Sequence, residues 1–360
     1  MIPPARVLAA RARGVTRSLS VRRAARIFVG VGVLVVLATR VGAGPFLHGL
    51  LSLDAPTIGA AVVLYAIATC AAAWRWRLIG ARLGLALPRS TAVGMYYRSQ
   101  FLNTVLAGGV VGDVQRALVH GRSTENVGAA TRAVVLERTV GQVVQLALAA
   151  VVLAWSGVAF GDVLLPPIGF ALAVLAALAV PALGAAMASA RVRRALRHER
   201  DELRAGLGSV AVTTQAVAAS VVVVTCHLGI FAIATAAVGA SVSPMRMLTL
   251  AFVVLLAASV PLNIGGWGPR EGVAGWAFAM AGLGASAGVS AATLYGALAI
   301  ISVAPGVIVT HLASVITGRT HRDRLSVCEP ELRHLPRWLP RLGLRPPARP
   351  LERSGPRPGG

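Results

Sequence analysis

Apolar runs of the length needed to cross a bilayer recur along most of this chain and constrain its fold more than any other feature. A transmembrane helix needs about 20 predominantly apolar residues, because the hydrocarbon core is roughly 30 Å thick. Only 13% of the 360 residues are charged, against about 25% in a soluble domain. The sequence therefore predicts an all-α polytopic membrane protein with about eight transmembrane helices. The runs occupy residues 27–39, 55–73, 139–156, 163–188, 209–239, 246–263, 273–284 and 287–316.

The arginines indicate the orientation of these helices. The formal net charge is +22, and all the basic residues other than histidine are arginine. They concentrate at the two ends of the chain and in loops, as the positive-inside rule describes for cytoplasmic segments. Two such loops are 191–204 and the stretch after the run 55–73, which holds Arg75, Arg77, Arg82 and Arg89. We therefore expect a plasma-membrane protein with both termini in the cytoplasm, where basic segments attract anionic lipid. No nucleic-acid-binding motif accompanies the charge, so no nucleic-acid partner is expected.

Three segments follow from this distribution. Residues 1–26 are predicted to be a basic cytoplasmic arm, and residues 27–317 a transmembrane domain. Residues 318–360 are rich in proline, glycine and arginine and are predicted to be a disordered cytoplasmic tail. With eight crossings, both termini lie in the cytoplasm only if residues 91–132 enter and leave the membrane on the same side. That stretch is therefore predicted to be re-entrant or interfacial rather than a span.

Two segments in the chain interrupt an apolar run with a pair of glycines. "LNTVLAGGVVGD", at 102–113, and "LNIGGWGPREG", at 262–272, both read Leu-Asn, Gly-Gly, a further Gly and then charge. Non-helical backbone at membrane depth occurs only where protein or a water-filled cavity surrounds it. Paired interrupted segments of this kind indicate a transporter's binding site. We predict that both segments are re-entrant and face one cavity; the alternative is two ordinary loops at the membrane edge.

The residue types on and near these segments suit a ligand that carries a phosphate or an amine. Arginine can fork onto phosphate, glycine N–H groups can cradle it, and a carboxylate can meet an amine. Asp113 and Arg116 are three residues apart and can pair on one helical face. Glu137 needs a partner other than its neighbour, and Arg116, Arg132 or Arg270 could supply it. The candidate ligand-binding residues are Asn103, Gly108, Gly109, Asp113, Arg116, Glu137, Arg138, Asn263, Gly265, Gly266, Arg270 and Glu271.

Other polar and aromatic residues within the apolar runs receive structural interpretations. His227 is predicted to be a hydrogen-bonded interior histidine, with a proton relay as the alternative. Gln142 and Gln145 are expected to bond between helices. The tryptophans near the ends of runs are expected in interfacial belts; they are Trp74, Trp76 and Trp155.

Three motifs in order, "YYRSQFLNTVLAGGVVGDVQRA", "AVVLERTVGQ" and "SVPLNIGGWGPREG", resemble the flippase-like integral membrane family. That family includes the transmembrane half of lysylphosphatidylglycerol synthases, and the resemblance covers about residues 90–315. Ala107 departs from the pattern, because a proline commonly precedes the first Gly-Gly. No soluble aminoacyltransferase domain is expected after the motifs, so the resemblance implies the lipid-translocating part of such proteins and not the lysine-transferring part. It also implies a lipid head group as the ligand of the candidate residues, and it falls directly on Glu137, Arg138, Arg270 and Glu271.

The expected function is translocation of a phospholipid or a lipid-linked intermediate. Two alternatives stay open: a lipid-linked transferase, and a membrane component or scaffold for a partner synthase or glycosyltransferase. The sequence contains no Ser-His-Asp set, metal-ligand spacing or phosphate-binding Walker loop. Catalytic residues, metal ions and cofactors are accordingly not expected, and membrane lipids, anionic ones above all, are the expected partners.

Overall fold

The computed structural model describes residues 39, 41–106, 109–156, 208–259 and 268–308. These residues form nine helices and no strand, which confirms the all-helical prediction for this part of the chain. The helices are α1 (Gly44–Leu51), α2 (Ala55–Arg82), α3 (Arg89–Val105), α4 (Val111–Ser123), α5 (Val127–Trp155), α6 (Val210–Ala237), α7 (Pro244–Ala258), α8 (Pro269–Met280) and α9 (Ala285–Val303).

Four of the helical stretches have the length and apolar composition of a membrane span. They are α2, α5, α6 and Ala285–Ile308, which begins with α9. The 28 residues of α2 measure about 42 Å at 1.5 Å per residue, more than the roughly 30 Å of a hydrocarbon core. The total of eight spans stays a prediction, since the expected runs at 27–39 and 163–188 fall almost wholly outside the described residues, as do the predicted arm and tail.

The stretch predicted to be re-entrant or interfacial, 91–132, forms most of α3, all of α4 and the start of α5. With 17 and 13 residues, α3 and α4 are too short to join the candidate spans. Asp113 in the first turn of α4 lies where a negative charge is favourable to the helix. Residues 107–108, between α3 and α4, lie outside the described residues, and the re-entrant path stays a prediction.

Helices α2 and α6 run antiparallel. Leu64 of α2 lies beside Gly229 of α6, and further along Arg75 lies beside Ser220. One apolar cluster joins their Ala61 end to α7, α8 and α9. A second, richer in alanine, joins the other end of α2 to α3, α4 and α5. The charged side chains described below lie where α2 to α6 meet.

Small residues allow two close helix crossings, as is common in membrane proteins. Gly112 of α4 packs against the backbone of Ser99 in α3, and Gly288 of α9 packs against the backbone of Ala274 in α8. A methyl group added at either glycine would come within 2.7 Å of the neighbouring carbonyl carbon.

The structure corrects two expectations at the end of α2. The apolar run was ended at residue 73, but the helix continues to Arg82, so Arg75 lies inside it and is buried rather than in a cytoplasmic loop. Trp76 is 1% exposed and packs in the core instead of an interfacial belt. Trp155, in contrast, is 79% exposed at the end of α5, and its place in an interfacial belt stays a prediction.

Candidate functional site

A buried carboxylate, Glu137 of α5, ties four helices together. Its Oε1 accepts hydrogen bonds from the Arg75 guanidinium of α2, with the Nε atom at 3.1 Å, and from the Tyr96 hydroxyl of α3 at 3.0 Å. Its Oε2 accepts from Arg116 Nη2 of α4 at 3.0 Å. Arg75 also donates from Nη1 to the Ser220 hydroxyl of α6 at 2.6 Å, which extends the network to a fifth helix.

A second carboxylate, Asp113 of α4, accepts from four side chains. Oδ1 receives Arg116 Nη2 at 3.2 Å, Arg138 Nη2 at 2.9 Å and the Ser99 hydroxyl at 3.1 Å. Oδ2 receives the Asn103 amide at 3.2 Å. The predicted pairing of Asp113 with Arg116 on one helical face is therefore present.

These five charged residues form what we call the arginine–carboxylate cluster: Arg75, Asp113, Arg116, Glu137 and Arg138. Three arginines and two carboxylates give it a net charge of 3 − 2 = +1. Its members differ in access to solvent: the Glu137 and Arg116 side chains are 0% exposed, whereas that of Arg138 is 43% exposed. The excess positive charge can therefore meet a ligand at Arg138.

Aromatic rings hold the most deeply buried arginine. The Arg116 Cζ atom lies 4.5 Å from the centre of the Trp76 ring and 4.3 Å from that of Tyr96. Its Nε and Nη1 atoms have no hydrogen-bond acceptor among the described residues. Cation–π attraction, which strengthens when water is excluded, offsets part of that loss.

The cluster opens on a cavity of about 470 Å³, within the range of roughly 300–1,000 Å³ found for small-molecule sites. Its charged lining residues are Arg75, Asp113 and Arg138. The polar side chains along the walls are Gln100, Asn103, Thr104, Gln142, Gln145, Ser220 and Ser259.

The cavity wall also includes aromatic side chains, those of Tyr65, His227 and Tyr295. His227 Nδ1 and the Tyr295 hydroxyl are 2.9 Å apart, and the Tyr65 and His227 rings meet edge to face at 5.3 Å. His227 is therefore the hydrogen-bonded interior histidine that was predicted.

The charged pair of the second glycine segment has different surroundings. At the start of α8, Arg270 donates from Nε to Glu271 Oε1 at 3.0 Å, and Glu271 Oε2 accepts the backbone N–H of Gly268 at 2.7 Å. Arg270 is 6% exposed and Glu271 is 0% exposed. The guanidinium packs against Gly296 and lies 5.3 Å from the Tyr295 ring. Neither charged residue lines the cavity.

The structure thus brings together Asn103, Asp113, Arg116, Glu137 and Arg138 from the predicted set, and Gly109 lines the cavity beside them. Gly108, Asn263, Gly265 and Gly266 lie outside the described residues.

One described flank of each glycine segment reaches the cavity wall: Gly109 in the first and Ser259 just before the second. Gln145 of α5 donates to the Ser259 hydroxyl at 3.2 Å, which confirms the interhelical bond expected of that glutamine.

Arg75 is the member of the arginine–carboxylate cluster that was not among the predicted candidates. Helical spacing would have indicated it, because Ala68, Ala72, Arg75 and Ile79 follow one another at intervals of four, three and four residues and all are buried. Residues at such intervals share one helix face. An arginine on the buried face of an apolar helix needs a buried acidic partner, and Glu137 provides it.

The described residues contain no group of histidine, cysteine and acidic side chains that could hold a metal ion. The fold and the site define a multi-pass α-helical membrane protein with a charged cluster facing a cavity between its helices. The family model of the lysylphosphatidylglycerol synthase transmembrane region matches residues 23–306, and the chain belongs to this family. No curated protein and no solved structure matches the chain.

Proposed function

We propose that this protein is a lipid translocase, which receives the polar head group of a phospholipid or lipid-linked intermediate in the cavity and carries it across the plasma membrane. The observation that carries the proposal is the cluster of net charge +1 that reaches the cavity through Arg138. A charge at the bilayer centre costs about 2.5–3.5 kcal/mol on insertion scales. A cavity with charged and hydrogen-bonding walls among candidate spans lowers that cost.

In this proposal the candidate residues divide into two roles. Asn103, Gly109, Asp113 and Arg138 contact the head group, because they line the cavity. Arg116 and Glu137 act behind them and fix their positions.

The two glycine segments are proposed to be re-entrant and to close the cavity from two sides. Gly108, Gly265 and Gly266 would then offer backbone N–H groups to the phosphate, and Asn263 would take the part that Asn103 takes in the first segment. Gly109 and Ser259 both line the cavity, which supports this arrangement. Arg270 and Glu271 would brace the second segment from the start of α8.

The test is scrambling of head-group-labelled phospholipids in proteoliposomes, with wild type, Arg138→Gln and Arg122→Gln compared at equal folded protein. Arg122 is exposed and lies at the end of α4, away from the cavity, so its variant is the matched control. We expect Arg138→Gln to slow translocation about tenfold or more, since a hydrogen bond to a charged group contributes roughly 1.5–3 kcal/mol. Wild-type scrambling no faster than in protein-free vesicles would refute the proposal.

Gly109 provides a second test of the head-group path. Its φ of +62° lies in the left-handed region, which asparagine tolerates better than other residues with side chains. Gly109→Asn therefore fills space at the cavity with little backbone strain, whereas Gly109→Leu adds both bulk and strain. Slower translocation by both variants at unchanged folded yield for Gly109→Asn supports the path; an unaffected rate in Gly109→Asn argues against it.

A further inference from the structure

We infer that Asp113 and a singly charged lipid phosphodiester compete for Arg138, so that Asp113 determines how tightly the site holds its ligand. The inference rests on the proposed function for its biological meaning. Its physical basis is the way in which the arginines of the cluster share two carboxylates.

Among the three arginines of the cluster, Arg138 is the one whose N–H donors are available to a ligand in the cavity. Arg75 uses Nε, Nη1 and Nη2 within the network. Arg116 is fully buried between two rings. Arg138 contacts Asp113 through Nη2 alone, and among the described residues neither its Nη1 nor its Nε has a hydrogen-bond partner. Its side chain is 43% exposed and lines the cavity.

Asp113 can release Arg138 without becoming unpaired. Without Arg138 it keeps the bonds from Arg116, Ser99 and Asn103. Ser99 and Asn103 are four residues apart on α3 and therefore share a face, so the carboxylate stays fixed while the arginine turns. A buried carboxylate left without donors would be costly, and this site avoids that cost.

The charge of the cluster indicates the class of ligand. A phosphodiester carries one negative charge and brings the cluster from +1 to zero. A phosphomonoester loses its second proton near pH 6, so at neutral pH it would bring the net charge of the cluster with its ligand to −1. The guanidinium fork of arginine binds phosphate oxygens in pairs, and the exchange frees Arg138 Nη2 to join Nη1 in such a fork.

The experiment measures binding of short-chain phosphatidylglycerol to the full-length protein in detergent by native mass spectrometry. It uses wild type, Asp113→Asn, Arg138→Gln and the double variant. Asp54→Asn is the matched control, because Asp54 is an exposed helix cap remote from the cavity and asparagine caps helices equally well. We expect Asp113→Asn to bind about two- to fivefold more tightly, the factor that a partly exposed ion pair contributes. Asp54→Asn should bind as wild type does.

The double variant identifies the route of the effect. If Asp113 acts by competing for Arg138, its substitution changes nothing once Arg138 is glutamine. A gain that persists in the double variant, or an unchanged affinity in Asp113→Asn, overturns the inference.

If Asp113→Asn fails to fold, the binding preference of the wild-type protein is the test. At pH 8 wild type should bind phosphatidylglycerol more tightly than phosphatidic acid, and the opposite preference overturns the inference. Translocation is measured separately, so wild type that binds but does not scramble refutes only the proposed function.

Discussion

The two glycine-broken segments have similar sequences, but the charges that accompany them lie in different surroundings. Beside the first segment, Asp113 and Arg138 line a cavity and share a cluster whose members come from three helices. Beside the second, Arg270 and Glu271 bond to each other at the start of one helix and do not reach the cavity. The two segments therefore resemble each other in sequence, but their charged residues lie in different environments.

The difference lies in how far along the chain each carboxylate finds its donors. Glu137 receives donors 62, 41 and 21 residues away. Glu271 receives them from the preceding residue and from Gly268, three residues back. Donors that are close in sequence reach the carboxylate as soon as their helix forms, whereas donors that are distant in sequence reach it only when the whole bundle packs. We therefore expect the first region to govern ligand binding and cooperative folding, and the second to govern local stability.

The largest effect should come from Glu137→Gln. Removing this charge leaves Arg75 and Arg116 buried without their shared counter-ion, and breaking a buried pair costs about 3–5 kcal/mol. Thermal unfolding in detergent should show a large drop in melting temperature. The control is Glu125→Gln at an exposed turn, where a surface change stays within about 0.5 kcal/mol. Equal melting temperatures for the two variants would mean that the cluster does not hold the bundle together.

Glu271→Gln should have a smaller effect of a different kind. The amide oxygen still accepts from Gly268 but binds Arg270 more weakly, and a hydrogen bond to a charged group contributes roughly 1.5–3 kcal/mol. Phosphatidylglycerol binding per folded molecule should stay within about twofold of wild type, the usual limit for uncoupled sites. A loss of binding as large as that of Arg138→Gln would instead give Arg270 and Glu271 the head-group role predicted from the sequence.

A matched pair of glycine substitutions separates the two regions by packing alone. Gly112→Ala forces α3 and α4 apart beneath Asp113, and Gly288→Ala forces α8 and α9 apart near the second pair. Overpacking of this kind costs about 1–3 kcal/mol, so both melting temperatures should fall by similar amounts. Only Gly112→Ala should also weaken phosphatidylglycerol binding.

The control for this pair is Gly59→Ala, because a methyl group at Gly59 of α2 meets nothing within 4 Å. Alanine is favoured over glycine inside a helix by about 0.5–1 kcal/mol, so this variant should be slightly more stable. If Gly288→Ala changed ligand binding as much as Gly112→Ala, the division between the two regions would be wrong.

Much of this arrangement could be predicted from the sequence because its causes are local or periodic. Long apolar runs predicted α2, α5, α6 and α9, and the three-residue spacing of Asp113 and Arg116 predicted their pairing. The three motifs in order indicated the family that the match to residues 23–306 shows.

The parts that could not be predicted depend on distant partners. Arg75 was expected in a cytoplasmic loop. Its spacing with Ala68, Ala72 and Ile79 indicates a buried helix face, but its own segment holds no acidic residue that could neutralise it. Its partner, Glu137, lies 62 residues away. Trp76 was misplaced for the same reason: its cation–π partner Arg116 belongs to another helix. The packing of Arg270 depends likewise on residues of another helix, Tyr295 and Gly296 of α9.

The smallest expected effect concerns pH and again distinguishes the two regions. His120 of α4 is 2% exposed, packs edge to face on Trp76, and lies one helical turn from Arg116. Burial lowers the pKa of His120 from its ordinary value, which is about 6.5. The unfolded chain therefore takes up this proton first as the pH falls. The stability that neutral His120 contributes is complete at pH 7.5 and is lost as the pH falls through that ordinary value. A protonated His120 would also add positive charge beside a cluster that already carries +1, whereas α8 contains no histidine.

We expect the melting temperature of wild type to fall between pH 7.5 and 5.5, and His120→Gln to reduce the fall. His48→Gln, at an exposed histidine of α1, is the control and should leave the fall unchanged. The same pH dependence in all three proteins would show that proton uptake does not act on the first region.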